Sequence, residues 1–280
     1  MSSSIVVGDI TITPLLDGTL DLDARGAAIG VPLEVVAAAN PGLIDAEGAM
    51  HLPVICHLVH AQGRLILVDT GIGPRRRDGW PAGVLDVRLR ELGIEPSDID
   101  VVTGTHLHAD HVGWNTIGAP GSPGSPAFPN ARYVYQRTEW DHWLSADRPR
   151  PLEAYLEECV VALVGNADID LVEGEVALTP ELSFVATPGH TPGHVAIGIS
   201  SHGERALIVG DATHYRAQLQ HPDWSPAFDL DPLLAVDTRR RLFDMLEGDP
   251  RSTLVTSHWP FPGAGRIVRV KGRRLFRGIR

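Results

Sequence analysis

Three imidazoles and a carboxylate crowd into Thr105-His106-Leu107-His108-Ala109-Asp110-His111. Neutral imidazoles and carboxylates are the ligands of hydrolytic zinc sites, with bonds near ~2.1 Å. The segment follows an apolar run, so strand alternation puts His106 and His108 on one side of the departing chain. The turn beyond can bring Asp110 and His111 round to a neighbouring point. Two ions about 3.5–4 Å apart need such a cluster and a group to bridge them. Other donors stand where other apolar runs end: His190 in Thr187-Pro188-Gly189-His190, Asp211 after Val209-Gly210, and His258 after Ser257. Each is commonplace alone. Together, His106, His108, Asp110, His111, His190, Asp211 and His258 read as donors to two metal ions, with Asp211 where a bridging oxygen would sit.

Such donors need rigid elements to carry them. Residues 5–16 alternate as strands do, and Asp17-Gly18 supplies a turn before the run at 20–22. A short helix over 32–39 stops at Asn40-Pro41-Gly42, and strands over 54–60 and 65–68 lead to a sharp exit at Asp69-Thr70-Gly71. A helix over 85–92 ends at Gly93, and a strand over 99–102 delivers Thr105-His106. Residues 118–129, dense in Gly, Pro and Ser, read as a surface loop. A strand over 131–135 and helices over 138–144 and 151–164 follow, then strands over 182–187, 195–200 and 206–209. Residues 232–246 form an amphipathic helix, with Leu233, Leu234, Val236, Leu242, Phe243 and Leu246 on one face and Arg239, Arg240 and Arg241 toward water. A last strand over 254–256 ends at Ser257-His258. With no repeat and no dividing linker, residues 1–280 read as one α/β domain.

At 280 residues and 43% hydrophobic composition the chain can bury a sizeable core without a staple. Cys56 and Cys159 stand apart in apolar stretches without CxxC spacing, and read as buried thiols in a reducing compartment. A net charge of −11 disfavours nucleic acid and anionic membranes as partners. Arg266, Arg269, Lys271, Arg273, Arg274, Arg277 and Arg280 are the exception, and read as a solvated edge hairpin turning at Lys271-Gly272. No run approaches the ~20 apolar residues of a membrane span, and the start lacks the pattern of a signal peptide. A cytoplasmic location is the expectation.

Asp69-Thr70-Gly71, the HxHxDH segment, Thr187-Pro188-Gly189-His190, Gly210-Asp211 and His258 together resemble the metallo-β-lactamase superfamily in order and approximate spacing. The resemblance implies a four-layer αββα sandwich with two zinc ions at one sheet edge. His106, His108 and His190 would hold one ion, and Asp110, His111 and His258 the other. Asp211 would bridge them, with Asp69 supporting the ligands from behind. Gly210-Asp211-Ala212-Thr213-His214, Phe228-Asp229-Leu230-Asp231 and residues 258–265 look most like the methyl parathion hydrolase group. The related quorum-quenching lactonases usually carry a tyrosine three residues after the bridging aspartate. This chain has His214 there and Tyr215 next.

The implied reaction is hydrolysis of a carboxylic ester or lactone by a hydroxide between the metals, oriented by Asp110 and Asp211, with Asp110 passing a proton to the leaving oxygen. A phosphotriester hydrolase, an iron-dependent persulfide dioxygenase and a thioester hydrolase are the alternatives. Trp114, just past the metal motif, and Phe128, in the Pro-rich loop, are expected to wall an apolar substrate pocket. Trp140, Trp143, Trp224 and Phe228 are the other aromatic candidates, with core packing favoured for Trp140 and Trp143. His214 is expected to touch substrate, and His194 to make hydrogen bonds rather than bind metal. The expected partner is a small ester or lactone, and a homodimer is compatible with the resemblance.

Overall fold

Apolar side chains alternate along the strands, and that period of two builds a different core on each face of one sheet. Val59, Ile66, Val101 and Val134 face a second sheet, where they meet Phe184, Ile197, Ile208 and Val255. Their neighbours Leu58, Leu67, Val102 and Tyr133 face the other way, onto a layer that includes Leu85, Leu89, Tyr155 and Leu156. The outer face of the second sheet is covered by Leu242, Phe243 and Leu246. Helices outside two facing sheets make the αββα arrangement expected.

The computed structural model describes residues 4–76, 79–119, 121–146 and 152–279. The first half runs β1 (Ile5–Val7), β2 (Ile10–Asp23), α1 (Leu33–Ala39), β3 (Ala49–Ala61), β4 (Arg64–Val68), α2 (Leu85–Glu91), β5 (Val101–Thr103) and α3 (Ala109–Val112). Next come β6 (Thr116–Ile117), β7 (Ser125–Pro126), β8 (Arg132–Gln136), α4 (Arg137–Leu144), α5 (Ala154–Cys159) and β9 (Asp168–Val172). The second half is β10 (Leu182–Ala186), β11 (Val195–Ser201), β12 (Glu204–Ile208), α6 (Pro232–Gly248), β13 (Ser252–Val255), β14 (Ala264–Val270) and β15 (Arg273–Gly278). One sheet has the order β1-β2-β3-β4-β5-β8-β9 and the other β10-β11-β12-β13-β14-β15. β4 and β5 are parallel, as are β12 and β13. Chains leaving parallel strands emerge at the same end, so Asp69 and His106 leave one sheet together, and Asp211 and His258 leave the other together. The bonds from Val195 N to Thr105 O and from Ile55 N to Ser257 O join the two sheets there, at 2.9 Å each.

Four expectations need correction. Asp17-Gly18 is no turn: β2 runs through it, with a bulge between Leu16 and Gly18 against β3. A bulge turns one side chain out of the alternation, and here the Asp17 carboxylate is buried, accepting from Ile72 N at 2.7 Å and Leu85 N at 2.6 Å. Arg239 does not face water; it is wholly buried on the inward face of α6. Leu233 and Leu234, expected on the apolar face, are exposed, because the buried face runs through Ala235, Arg239, Leu242 and Leu246. The helix expected over 151–164 is the shorter α5 followed by a 3-10 turn, and residue 151 lies outside the described residues. β9 was not anticipated, because Asp168 and Asp170 break its apolar pattern. The Gly/Pro-rich stretch is irregular apart from β7, which pairs with β6; Pro120 lies outside the described residues. The basic C-terminal run is the edge hairpin β14–β15, turning at Lys271-Gly272, with Arg280 outside the described residues. Both cysteines are buried and form no disulfide. Among the described residues, no helix is long and apolar enough to cross a membrane.

Candidate metal centre

His106 leaves the end of β5, His108 sits with extended backbone just before α3, and Asp110 and His111 lie in that helix. His190 follows β10, in a turn that needs its glycine: Gly189 has φ 132°, and a Cβ there would lie 2.3 Å from Ala235 N. Folding brings His106, His108, His190 and Asp211 into one group, and Asp110, His111 and His258 into a second. In the first, Nδ1 of His108 lies 3.0 Å from Nε2 of His106 and 2.9 Å from Nε2 of His190. Oδ2 of Asp211 lies 3.3 Å from His190 Nε2 and 3.8 Å from His106 Nε2. In the second, Oδ2 of Asp110 lies 3.6 Å from His111 Nε2 and 3.5 Å from His258 Nε2. Oδ1 of Asp211 turns to this group, 3.2 Å from His111 Nε2 and 3.0 Å from His258 Nε2.

Asp211 thus offers one oxygen to each group. The donor set fits two cations on grounds internal to the chain. Donors around a tetrahedral ion with ~2.1 Å bonds lie about 3.4 Å apart, and the separations above straddle that value. Asp211 Oδ1 is buried and makes no hydrogen bond despite its two close imidazoles. Burial holds His106 and His108 well below the usual imidazole range, which keeps their nitrogen lone pairs free. His111 is pushed the other way: burial, which lowers it, is outweighed by Asp211, Asp110 and Asp69. Burial raises Asp211, but His258, His111 and His214 overcome it and hold the carboxyl well below its ordinary range.

Buried groups behind the donors fix their orientation. Asp69, in a left-handed conformation at φ 58°, accepts from Thr105 N at 2.7 Å and meets His111 Nδ1 at 3.0 Å. Pro53 O meets His258 Nδ1 at 2.8 Å. Asp229 Oδ1 meets His190 Nδ1 at 2.9 Å, and its other oxygen accepts from Ser225 Oγ and from Arg239 Nη2, the latter at 3.4 Å. Arg239 also donates to Ala212 O at 2.8 Å, Pro222 O at 2.8 Å and Trp224 O at 3.2 Å, so one buried guanidinium ties down the segment carrying Asp229. Such outer partners fix tautomer and ring orientation in metal sites. His194 is spent on bonds of its own: Nε2 accepts from Asp211 N at 3.1 Å, and Nδ1 meets Thr187 Oγ1 at 2.7 Å.

Above the donors lies a cavity of about 540 Å³. His108, Asp110, His190, Asp211, His214 and His258 border it on the donor side. Leu20, Leu22, Leu52, Trp80, Phe228 and Leu230 supply apolar wall. An apolar cleft with a few convergent polar groups is the usual form of a small-molecule site.

Residues 51–258 match the model of the metallo-beta-lactamase superfamily. The chain belongs to the metallo-β-lactamase superfamily. An N-acyl homoserine lactonase of Bacillus thuringiensis is 27% identical over 232 residues, spanning 76% of this chain and 82% of that protein. AbOPH, solved as a hydrolase in the beta lactamase superfamily, superposes with a TM-score of 0.86 at 25% identity, over 100% of this chain and 97% of its own. AidC, a dizinc quorum-quenching lactonase solved with a product, gives 0.85 at 23% identity, over 100% of this chain and 97% of that one. At that identity the likeness speaks for the fold.

Within this superfamily fold, all seven expected donors converge, and His214 borders the cavity with Nε2 3.2 Å from Asp211 Oδ2. Trp114 and Phe128 do not reach the cavity. A 3-10 turn at Gly113–Asn115 swings the Trp114 indole inward, where Nε1 donates to Asp17 at 3.0 Å. Both side chains pack in the core beneath the first sheet. Phe228 and Trp143 line the cavity instead, and Trp143 also packs against the core beneath the first sheet, as expected for it. Trp143 lies edge-on to His108, ring centroids 5.3 Å apart. Trp140 stays with the core cluster. Glu139, Asp229 and Arg239 also support the site, and nothing in the sequence sets them apart from charged neighbours such as Asp141, Asp231 and Arg240.

Proposed function

We propose that this superfamily member is a two-zinc hydrolase that opens lactones carrying an apolar substituent. The observation that carries the reading is Asp211, presenting one oxygen to each of two imidazole-rich groups on the floor of an apolar cavity. The B. thuringiensis lactonase relationship favours a lactone over other acyl substrates.

His106, His108, His190 and Asp211 would hold one ion, and Asp110, His111, His258 and Asp211 the other. Bound zinc supplies Lewis acidity toward a carbonyl oxygen and brings the pKa of water down to roughly 7. Phe228, Leu20 and Leu22 bind the apolar part of the substrate and exclude water around it. Asp110 borders the cavity and is 9% exposed, so its carboxylate reaches the reacting centre and relays a proton to the departing alkoxide. His214, beside Asp211, meets the substrate's polar end.

The test is a substrate panel run beside elemental analysis. The panel holds lactones of several chain lengths, aryl esters, a phosphotriester, a β-lactam and a glutathione thioester. Two zinc equivalents and fastest turnover of lactones are expected. A phosphotriester or thioester as the best substrate, or a single iron with oxygen-dependent turnover, would overturn the proposal.

A further inference from the structure

Glu139, on α4, is a buried carboxylate with four donors around it. Oε1 accepts from Leu107 N at 3.1 Å and from Trp143 Nε1 at 2.7 Å. Oε2 accepts from Thr191 Oγ1 at 2.6 Å and from Gly193 N at 3.0 Å. Every donor stands beside a feature of the site. Leu107 lies between His106 and His108, and Thr191 follows His190. Trp143 lines the cavity against His108. Gly193 can reach only because it lacks a side chain: a Cβ there would fall 2.1 Å from Glu139 N.

The two donor-bearing segments, at 106–108 and 190–193, come from different sheets. Besides His108 itself, Glu139 is a direct polar link between them. We infer that Glu139 is a positioning residue that sets the spacing of His106, His108 and His190 and seats Trp143 on the cavity wall. This rests on the two-metal reading of the site. All four partners donate to the carboxylate, so each oxygen is doubly used, and three of them are N–H groups that cannot accept, so a neutral amide leaves at least one N–H facing another. Glu139→Gln keeps the volume but turns two N–H bonds toward donors, which opens one of the two segments.

Chelator competition and thermal unfolding test the inference, with zinc-loaded and zinc-stripped protein compared in each. Glu139→Gln should weaken one of the two zinc ions ~10- to 100-fold and leave the other near wild type. The gain in Tm on zinc loading should shrink accordingly. Thr191→Val, which removes one donor and is the fallback should Glu139→Gln not fold, should weaken the same ion less. Trp143→Phe should shift KM for long-chain lactones while both zinc affinities hold. Wild-type affinity for both ions in Glu139→Gln would overturn the inference. So would an equal Tm loss in loaded and stripped protein, which marks a purely structural role. A wild-type chain that binds no zinc at all would instead remove the two-metal reading beneath it.

Discussion

His190 reaches outward, through Asp229 to Arg239 on α6, whereas His111 reaches inward, to Asp69 where β4 ends. The first donor group is therefore braced from the helical layers, by Asp229 and Arg239 on one side and Glu139 on α4 on the other. The second is braced by the first sheet, through Asp69 and the Pro53 carbonyl of β3. Asp211 offers an oxygen to each group, and Asp69 also reaches the first through Thr105, whose Oγ1 meets His106 Nδ1 at 3.1 Å. The difference implies that damage to the helical layer should reach chiefly one ion and damage at the sheet end chiefly the other.

Asp211 is where that separation should fail, and with the largest effect. Asp211→Ala should lose both zinc ions and fall to background turnover. His214→Ala touches only one Asp211 oxygen, so a loss of ~10- to 100-fold with metal retained is expected. Metal analysis beside kcat decides it. Equal defects in both variants, each with full metal content, would show that Asp211 does not join the groups.

Asp229→Asn and Asp69→Asn sharpen the comparison. Each exchanges the acceptor facing a ligating imidazole for an amide that can turn its N–H toward the ring. Each should weaken one zinc ion by roughly 10- to 100-fold. Cobalt substitution tells the ions apart by their absorption bands, and the two variants should perturb different bands. The same band disturbed in both would mean that the groups share one brace.

The metal end was legible in the sequence and the cavity wall was not, for a physical reason. Five of the seven candidate donors stand in the segments just beyond strand ends, where apolar runs announce the strand and the exit turn announces the donor, and Asp110 and His111 follow in α3. The αββα layers are implied by the family motif, whereas alternation alone announces one α/β domain. A wall residue has no such marker. Trp114 stands three residues past His111, yet one 3-10 turn sends its indole to Asp17. Asp17-Gly18 carries the composition of a turn, but the long pairing of β2 with β3 absorbs it as a bulge. Arg239 lies on the buried face of α6, four residues after Ala235 and just before Leu242 and Phe243, where its charge disguises a core position; its guanidinium is taken up by the backbone of residues 212–224. Glu139 bonds partners 32 and 54 positions away, beyond any local pattern.

Trp114 and Phe228 set core against wall directly. Trp114→Ala empties a packed volume and deprives the buried Asp17 carboxylate of a donor, so ~3–5 kcal/mol of stability should be lost. Chain-length preference should stay unchanged. Phe228 is half-buried on the cavity. Phe228→Ala should leave Tm nearly intact and lower kcat/KM for long-chain lactones by ~5- to 150-fold, the effect of ~1–3 kcal/mol of lost apolar contact. Melting curves and kinetics on a long and a short lactone separate the two. A changed chain-length preference in Trp114→Ala would return that residue to the wall.

The last effect expected is one of pH, at a histidine outside both donor groups. His57 on β3 is fully buried, and neither ring nitrogen has a hydrogen-bond partner. Burial pushes its pKa down to about 4 from 6.5, opposed by the Asp69 charge and by the nearby Thr256 backbone, too poorly aligned for a formed hydrogen bond, and assisted by His111. Because the folded value lies below the unfolded one, protons favour the unfolded chain. The neutral ring's contribution to stability is complete above pH 6.5 and is lost as pH falls from there toward 4. At pH 5 the loss amounts to about 2 kcal/mol. His57→Leu keeps an apolar side chain of similar size in the core and removes the titration. Urea unfolding of zinc-stripped wild type and variant, at pH 7.5 and pH 5, cancels what the other histidines contribute to both. The stability gap between the proteins should move toward the variant by about that amount at the lower pH. A gap that does not change with pH would mean that the His57 ring finds a partner when protonated and is not held neutral by burial.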